Sequence, residues 1–157
     1  KEIRLLDNNI LASPNWDETA NTLIKELVRV DFNQGLDIRL VDDKVANQLA
    51  KIKTKQLRFA FDRIGIESQV RQGISLLLKA GITSRHLSFY VLIGWNGDDG
   101  WNRMKILQSY NVAVYPMLYK DEGGKEPQLD IRQVEAVEFR GGRNNLRKYL
   151  RAIGRID

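Results

Sequence analysis

Asn33, Gln34, Asp37 and Arg39 fall within seven residues of one another in the stretch VDFNQGLDIRLV, residues 30–41. A strand that only filled a core would avoid that polarity. A surface strand would alternate more cleanly and would not need an Asn-Gln-Gly break at its centre. The pattern predicts a buried strand ending near Asn33–Gln34, with polar groups fanning out at its carboxyl end. Asp37 and Arg39 read either as a pair across one strand face or as contacts to a substrate. The same arrangement recurs along the chain. Asp7-Asn8-Asn9 follows one apolar run, Asp62-Arg63 a second, Gly94-Trp95-Asn96 a third and Tyr119-Lys120-Asp121 a fourth. Asp62 suits a ribose diol, which donates to a carboxylate, or an ion pair with Arg63 or Arg58. Gly94 suits a close backbone approach to a ligand or a plain turn. Polar residues are expected in any surface loop. Five such sets, each against an apolar run, predict one shared site.

Other chemistries are excluded by residue type. The chain has no cysteine, so disulfides, thiolate ligands and a cysteine nucleophile are absent from it. A single histidine, His86, argues against a histidine metal site or a triad. His86 precedes a strand, away from the polar ends, and reads as a surface residue. No G-x-G-x-x-G and no P-loop occurs, so nucleotide binding by those devices is unsupported.

The elements that must position these groups alternate. Strands are predicted at Ile3–Leu6, Val30–Asn33, Leu57–Phe61, Leu87–Ile93 and Val112–Leu118. Helices are predicted at Asn15–Val28, Asp43–Ile52, Glu67–Ala80 and Asp99–Tyr110. Ser13-Pro14 is an N-cap followed by a first-turn proline. Asp42 caps the second helix, and Gly81 closes the third. Leu23, Leu27 and Trp16 are expected to be buried on the first helix. Val45, Leu49 and Ile52 play that part on the second, and Val70, Ile74, Leu77 and Leu78 on the third. Strand starts about 25–30 residues apart are the spacing of strand–helix units, and crossover helices make parallel strands. In such α/β architectures, sites form at the carboxyl ends of the strands.

A length of 157 residues suits one domain with a core of its own. No apolar run approaches the roughly 18 residues of a membrane span. The absence of disulfides fits a cytoplasmic location. The chain starts without Met and runs straight into a strand, which predicts that it begins inside a larger protein. The net charge is +5, and residues 139–157 carry six basic residues against Asp157 alone. That leaves 19 of the 25 basic and 19 of the 20 acidic side chains elsewhere, so the body is neutral. In the tail, Arg143, Arg147, Arg151 and Arg155 recur every four residues opposite Leu146, Tyr149, Leu150 and Ile153. This is an amphipathic helix whose arginine stripe is either a solvated face or a contact for RNA or another polyanion.

Taken together, DNNIL, VDFNQGLDIRLV, LRFAFD, LLLKAGI with FYVLIGWN, and VYPMLY resemble the later part of the radical S-adenosylmethionine enzyme core. The resemblance runs from about Ile3 to Tyr119. It implies an α/β fold, a partial parallel (β/α) barrel holding strands two to six of a (β/α)6 core over residues 1–120. Residues 121–157 are then a C-terminal extension. The implied cofactors are S-adenosylmethionine and a 4Fe-4S cluster. In the family a C-x3-C-x2-C loop after strand one binds the cluster, and reductive cleavage gives a 5′-deoxyadenosyl radical. That loop is absent here, so the cluster would belong to a full-length parent and this chain alone would be inactive. By position, Asp7, Asn8 and Asn9 stand where the family contacts the methionyl amino group, with the usual Gly-Gly-Glu replaced. Asp62 stands at the ribose position, Gly94 beside the adenine, and Pro116-Met117 on the strand that flanks it. Asn33, Gln34, Asp37 and Arg39 would face the barrel interior or the substrate. A truncated barrel also exposes an edge through which copies could associate. Beside this reading stand a polyanion-binding module built on the arginine stripe, and a metabolic domain with a phosphate at the strand ends.

Overall fold

Each apolar run becomes a strand, and each periodic stretch between runs becomes a helix. The computed structural model describes residues 2–93, 99–118 and 123. The strands are β1 (Glu2–Leu5), β2 (Arg29–Phe32), β3 (Leu57–Ala60), β4 (Leu87–Ile93) and β5 (Ala113–Leu118). The helices are α1 (Trp16–Glu26), α2 (Asp43–Lys51), α3 (Glu67–Lys79) and α4 (Gly100–Ser109). Short 3-10 turns at Ile10–Ala12, Ile38–Leu40, Ile64–Ile66 and Ser84–His86 join them.

The fold is α/β with parallel sheets, β1-β2 and β3-β4-β5. Every strand pair is linked by a helix, the crossover that parallel pairing requires. Between β2 and β3 the ladder shrinks to one bridge, Val30 with Thr54. That bridge includes the bond from Val30 N–H to the Lys53 carbonyl at 2.8 Å, and one further backbone bond joins the two segments, Leu36 N–H to the Arg58 carbonyl, also at 2.8 Å. The strands therefore neighbour one another in chain order, and among the described residues they do not close into a barrel. α1 packs on α2 and α2 on α3, while the Arg71 guanidinium of α3 lies over the Tyr110 ring after α4.

The helix-side core follows from the period-two alternation of the strands. Val30, Phe32, Leu57, Phe59, Phe61, Leu87, Phe89, Val91, Ile93 and Val114 are all buried. They meet Trp16, Leu23, Leu49, Ile74, Leu77, Met104 and Leu107 from the helices. Phe59 and Phe89 stack with centroids 5.3 Å apart. The alternate residues, Arg4, Asp31, Arg58, Ala60, Tyr90 and Tyr115, point away from the helices.

The helix ends separate what side chains dictate from what the turn overrides. Asp42 caps α2 by accepting from the Val45 N–H at 2.7 Å. Gly81, at φ +94°, ends α3 with Gly81 N–H to the Leu78 carbonyl and Ile82 N–H to the Leu77 carbonyl, the paired bonds of a Schellman end. Ser13 does not cap α1. Its hydroxyl accepts from the Asn15 N–H at 3.2 Å, and that local turn delays the helix to Trp16. Leu27 and Leu78, expected inside, are exposed. Leu27 lies past the helix end at φ 50°, which swings it off the buried stripe. Leu78 sits at the margin of a stripe that Val70, Ile74 and Leu77 already fill.

Candidate functional site

The carboxyl ends of β1, β2 and β3 surround a cavity of about 340 Å³. Asn8 and Asn9 line it from the loop after β1, and Gln34, Gly35, Asp37 and Arg39 from the segment after β2. Ala60, Asp62, Arg63 and Ile66 come from β3 and its loop, and Tyr90 from β4. Six of the residues singled out by type and spacing thus converge: Asn8, Asn9, Gln34, Asp37, Arg39 and Asp62.

Local chemistry places each of them. Phe32 ends β2, and Asn33 N–H donates to the Leu5 carbonyl at 3.2 Å. The chain then turns at Gly35, whose φ of +86° suits a residue without Cβ. Leu36 drops into the core. Asp37 and Arg39 consequently sit on a 3-10 turn rather than on a strand. The Asp37 carboxylate accepts from the Arg39 N–H at 3.0 Å, from Arg39 Nε at 2.9 Å and from Arg39 Nη2 at 2.6 Å. The bonds to the Arg39 side chain hold the Asp37 carboxyl below its ordinary range and raise the guanidinium in turn. Asn9 Oδ1 accepts the Asp37 N–H at 3.3 Å, tying the first loop to the second. Asp62 makes neither expected ion pair: Arg58 bonds Asp31 at 2.5 Å, and Asp62 Oδ1 accepts the Leu92 N–H at 3.2 Å.

The remaining candidates lie elsewhere. Asp7 turns back to accept the Asn9 N–H at 3.1 Å and does not line the cavity. Asn33 is exposed outside it. Pro116 is buried on β5, and Met117, 49% exposed, lies on the helix-free face; neither lines the cavity. Gly94, Arg143, Arg147, Arg151 and Arg155 fall outside the described residues, as does the extension expected over 121–157 apart from Gly123. His86 is exposed, with Nδ1 3.0 Å from the Thr83 hydroxyl.

Two groups escaped sequence reasoning. Arg103, in the first turns of α4, is fully buried. Its Nε donates to Asp99 Oδ1, its Nη1 to the Phe61 carbonyl and its Nη2 to the Leu92 carbonyl at 2.7 Å. Asp99 Oδ2 accepts the Ile64 N–H at 3.0 Å. The pair clamps the ends of β3 and β4, and so brackets Asp62 on both sides. Its signal, an acid and a base four apart, also describes any exposed helix pair. Tyr90 was the other omission. Its signal was a polar aromatic on the off-beat of an apolar strand.

Among the described residues, no group of three or more His, Cys, Asp or Glu is arranged to hold a metal ion. No helix among them is long and apolar enough to cross a membrane. The cavity can bind a polar ligand through three amides, two carboxylates and two guanidiniums, with Ile66 and Tyr90 as its less polar walls. Comparison with protein-family models, with curated proteins and with solved structures found no match for the chain.

Proposed function

We propose that this chain is the later part of a (β/α) barrel of the radical S-adenosylmethionine type, and that the rim cavity binds the nucleoside and methionyl parts of that cofactor. The observation that carries the reading is the convergence of Asn8, Asn9, Gln34 and Asp62 on one cavity at the carboxyl ends of parallel strands. The chain-order arrangement of the strands and the side-by-side packing of successive helices support a partial barrel over a sheet wound in both directions.

The residues present fit this cofactor. An ionised carboxylate offers about four lone-pair sites. Leu92 N–H uses one on Asp62, which leaves acceptor capacity for a ribose diol. Asn8, Asn9 and Gln34 supply amide donors and acceptors for a zwitterionic methionyl end. The cavity volume is at the low end of small-molecule pockets, roughly 300–1,000 Å³. The chain does not fit an iron–sulfur cluster, which needs thiolate ligands, because none of its 157 residues is cysteine. In an enzyme of this type, S-adenosylmethionine beside a reduced cluster supplies a radical that abstracts hydrogen. The part of the present residues is to bind the nucleoside, orient it and wall it from water.

S-Adenosylhomocysteine, a stable analogue, tests the reading by calorimetry and by amide chemical shifts. Binding is expected to perturb Asn8, Asn9 and Asp62, and Asp62→Ala should weaken it by about tenfold or more. No binding, or shifts confined to the amino ends of the strands, would overturn the proposal.

A further inference from the structure

The neutral body of the chain hides a polarity. The crossover helices run back against the parallel strands, so their last turns and the segments that enter the strands share the amino end of the sheet. Lys25 stands in the last turn of α1 and Lys51 in that of α2. Arg29 opens β2, Lys53 and Lys55 lie in the segment that enters β3, and Arg85 lies in the 3-10 turn that enters β4. All six are exposed. Their side chains make no ion pair or hydrogen bond among the described residues. The carboxylates at this end are Glu2 and Glu26. Asp31, further along β2, is already bonded to Arg58 and Arg4. Acidic residues gather instead at the opposite end, with Asp42, Glu67 and Asp99 at helix starts and Asp7, Asp37 and Asp62 in loops after strands.

The helix macrodipole accounts for part of this. A cation in the last turn complements the partial negative charge of the helix end, which explains Lys25, Lys51 and also Lys79 of α3, itself 3.2 Å from Asp43. It does not explain Arg29, Lys53, Lys55 and Arg85, which lie outside the α-helices. Strand register sets these four in a row. Val30 N–H donates to the Lys53 carbonyl, which brings Arg29 beside Lys53. Leu57 pairs with Leu87, and Lys55 and Arg85 each precede that pair by two residues. Arg29 and Lys55 also line a cavity of about 180 Å³ with Thr54 and Gln56, which Glu2 and Asp31 share. From β2 to β4 is two inter-strand steps, roughly 10 Å. That is the length of about three phosphates along one strand of a duplex, at about 3.4 Å each.

We propose that the amino end of the sheet docks a nucleic-acid duplex through its phosphates. The row of Arg29, Lys53, Lys55 and Arg85 lies along one backbone strand, and Lys25 and Lys51 flank it. Phosphates are favoured over bases because no exposed aromatic ring stands among the six cations to stack a base. A regular, one-sided row matches evenly spaced phosphates better than the scattered carboxylates of a protein surface. Leu27 and Leu78 are exposed at this end, but they belong to α1 and α3 with α2 between them. They form no continuous apolar face to enter a lipid surface. The proposal makes no use of the rim cavity and does not rest on the function proposed above.

Fluorescence anisotropy of a short labelled duplex, followed with the whole chain across a salt series, tests the proposal. The series is run in an Arg147→Glu, Arg151→Glu variant, which disarms the arginine-rich tail. Binding is expected to persist there, with a log–log salt slope of about −3 to −4 from four phosphate contacts at about 0.9 each. Adding Lys53→Glu and Lys55→Glu should weaken it about tenfold or more and flatten the slope by about two. Both lysines are exposed and bond nothing, so the fold is expected to hold, and Arg85→Glu on a separate loop should act with the same sign. In amide chemical shifts the duplex should move residues 53–56 and 84–86 and leave Asn8, Asn9 and Asp62 in place. The nucleoside reading is scored at those last three, so either reading can fail while the other stands. No binding once the tail is disarmed, an affinity indifferent to salt, or indifference to the loop variants overturns the proposal. Equal binding to polyglutamate or to phosphatidylserine vesicles also overturns it, and would assign the face to an acidic protein or a lipid surface.

Discussion

Arg103 holds a full charge at no solvent exposure, beside a carboxylate, two strand-end carbonyls and the Phe61 ring, whose centroid is 6.0 Å from the guanidinium carbon. Such a group is costly to remove, because its partners stay buried without it. Arg103→Met is expected to lower stability by about 3–5 kcal/mol, seen as a shifted urea midpoint at unchanged slope. Arg103→Lys should recover only part, since one ammonium cannot span three acceptors in a plane. A loss below about 1 kcal/mol, typical of an exposed pair, would mean the clamp is idle. Asp37 gives a pH dependence. Its carboxyl is held below the ordinary value of 3.8 by the Arg39 side chain. A depressed folded value contributes stability that is present above the unfolded value and fades as pH falls through the folded one. The contribution should therefore vanish in acid below the ordinary carboxylate range, and Asp37→Asn should flatten that part of the urea-midpoint profile. An unchanged acid limb would show that Asp37 and Arg39 do not couple to folding.

The 3-10 turn carrying Asp37 and Arg39 is docked by a glycine on another element. A Cβ on Gly73 of α3 would lie 2.7 Å from Ile38 Cδ1 and 2.9 Å from the Ile38 carbonyl oxygen. Alanine there gains about 1 kcal/mol of helix propensity, yet the clash is with backbone as well as a side chain, and overpacking typically costs about 1–3 kcal/mol. The close approach should win. Gly73→Ala is expected to be net destabilising and to shift the Asp37 and Arg39 amides, whereas Gly65→Ala, which meets nothing within 4 Å, should leave those amides unmoved. A Gly73→Ala variant more stable than wild type would refute the docking. The four helices and five strands among the described residues were legible because their apolar periods differ, and Asp42 and Gly81 marked the ends of α2 and α3 correctly. Ser13 misled because its hydroxyl closes a local turn at Asn15. The Asp37–Arg39 pair was legible as a pair, but not as a turn. What bends that segment is Gly35 with the burial of Leu36 and Ile38, a tertiary matter.

Across the whole molecule, the parallel order of the strands was readable from their spacing, and the gathering of polar loops at one rim followed from parallelism. The charges of Arg4, Asp31 and Arg58 were visible in sequence, but their meeting depends on register between strands separated by 27 residues, which no local pattern encodes. The role of Arg103 was hidden for a similar reason, since its acceptors lie on two strands distant in sequence. The thin junction between β2 and β3 has a mechanical meaning. Backbone bonds are dense across β3-β4-β5, whereas between β2 and β3 one bridge and the Leu36–Arg58 bond carry the backbone link and the Asp31–Arg58 ion pair supplements it. Asn8, Asn9 and Gln34 stand on one side of that junction, and Ala60, Asp62 and Tyr90 on the other. The rim cavity therefore straddles the sparsest backbone junction of the sheet, and a ligand that touched both walls would add a link across it beside the Asp31–Arg58 ion pair.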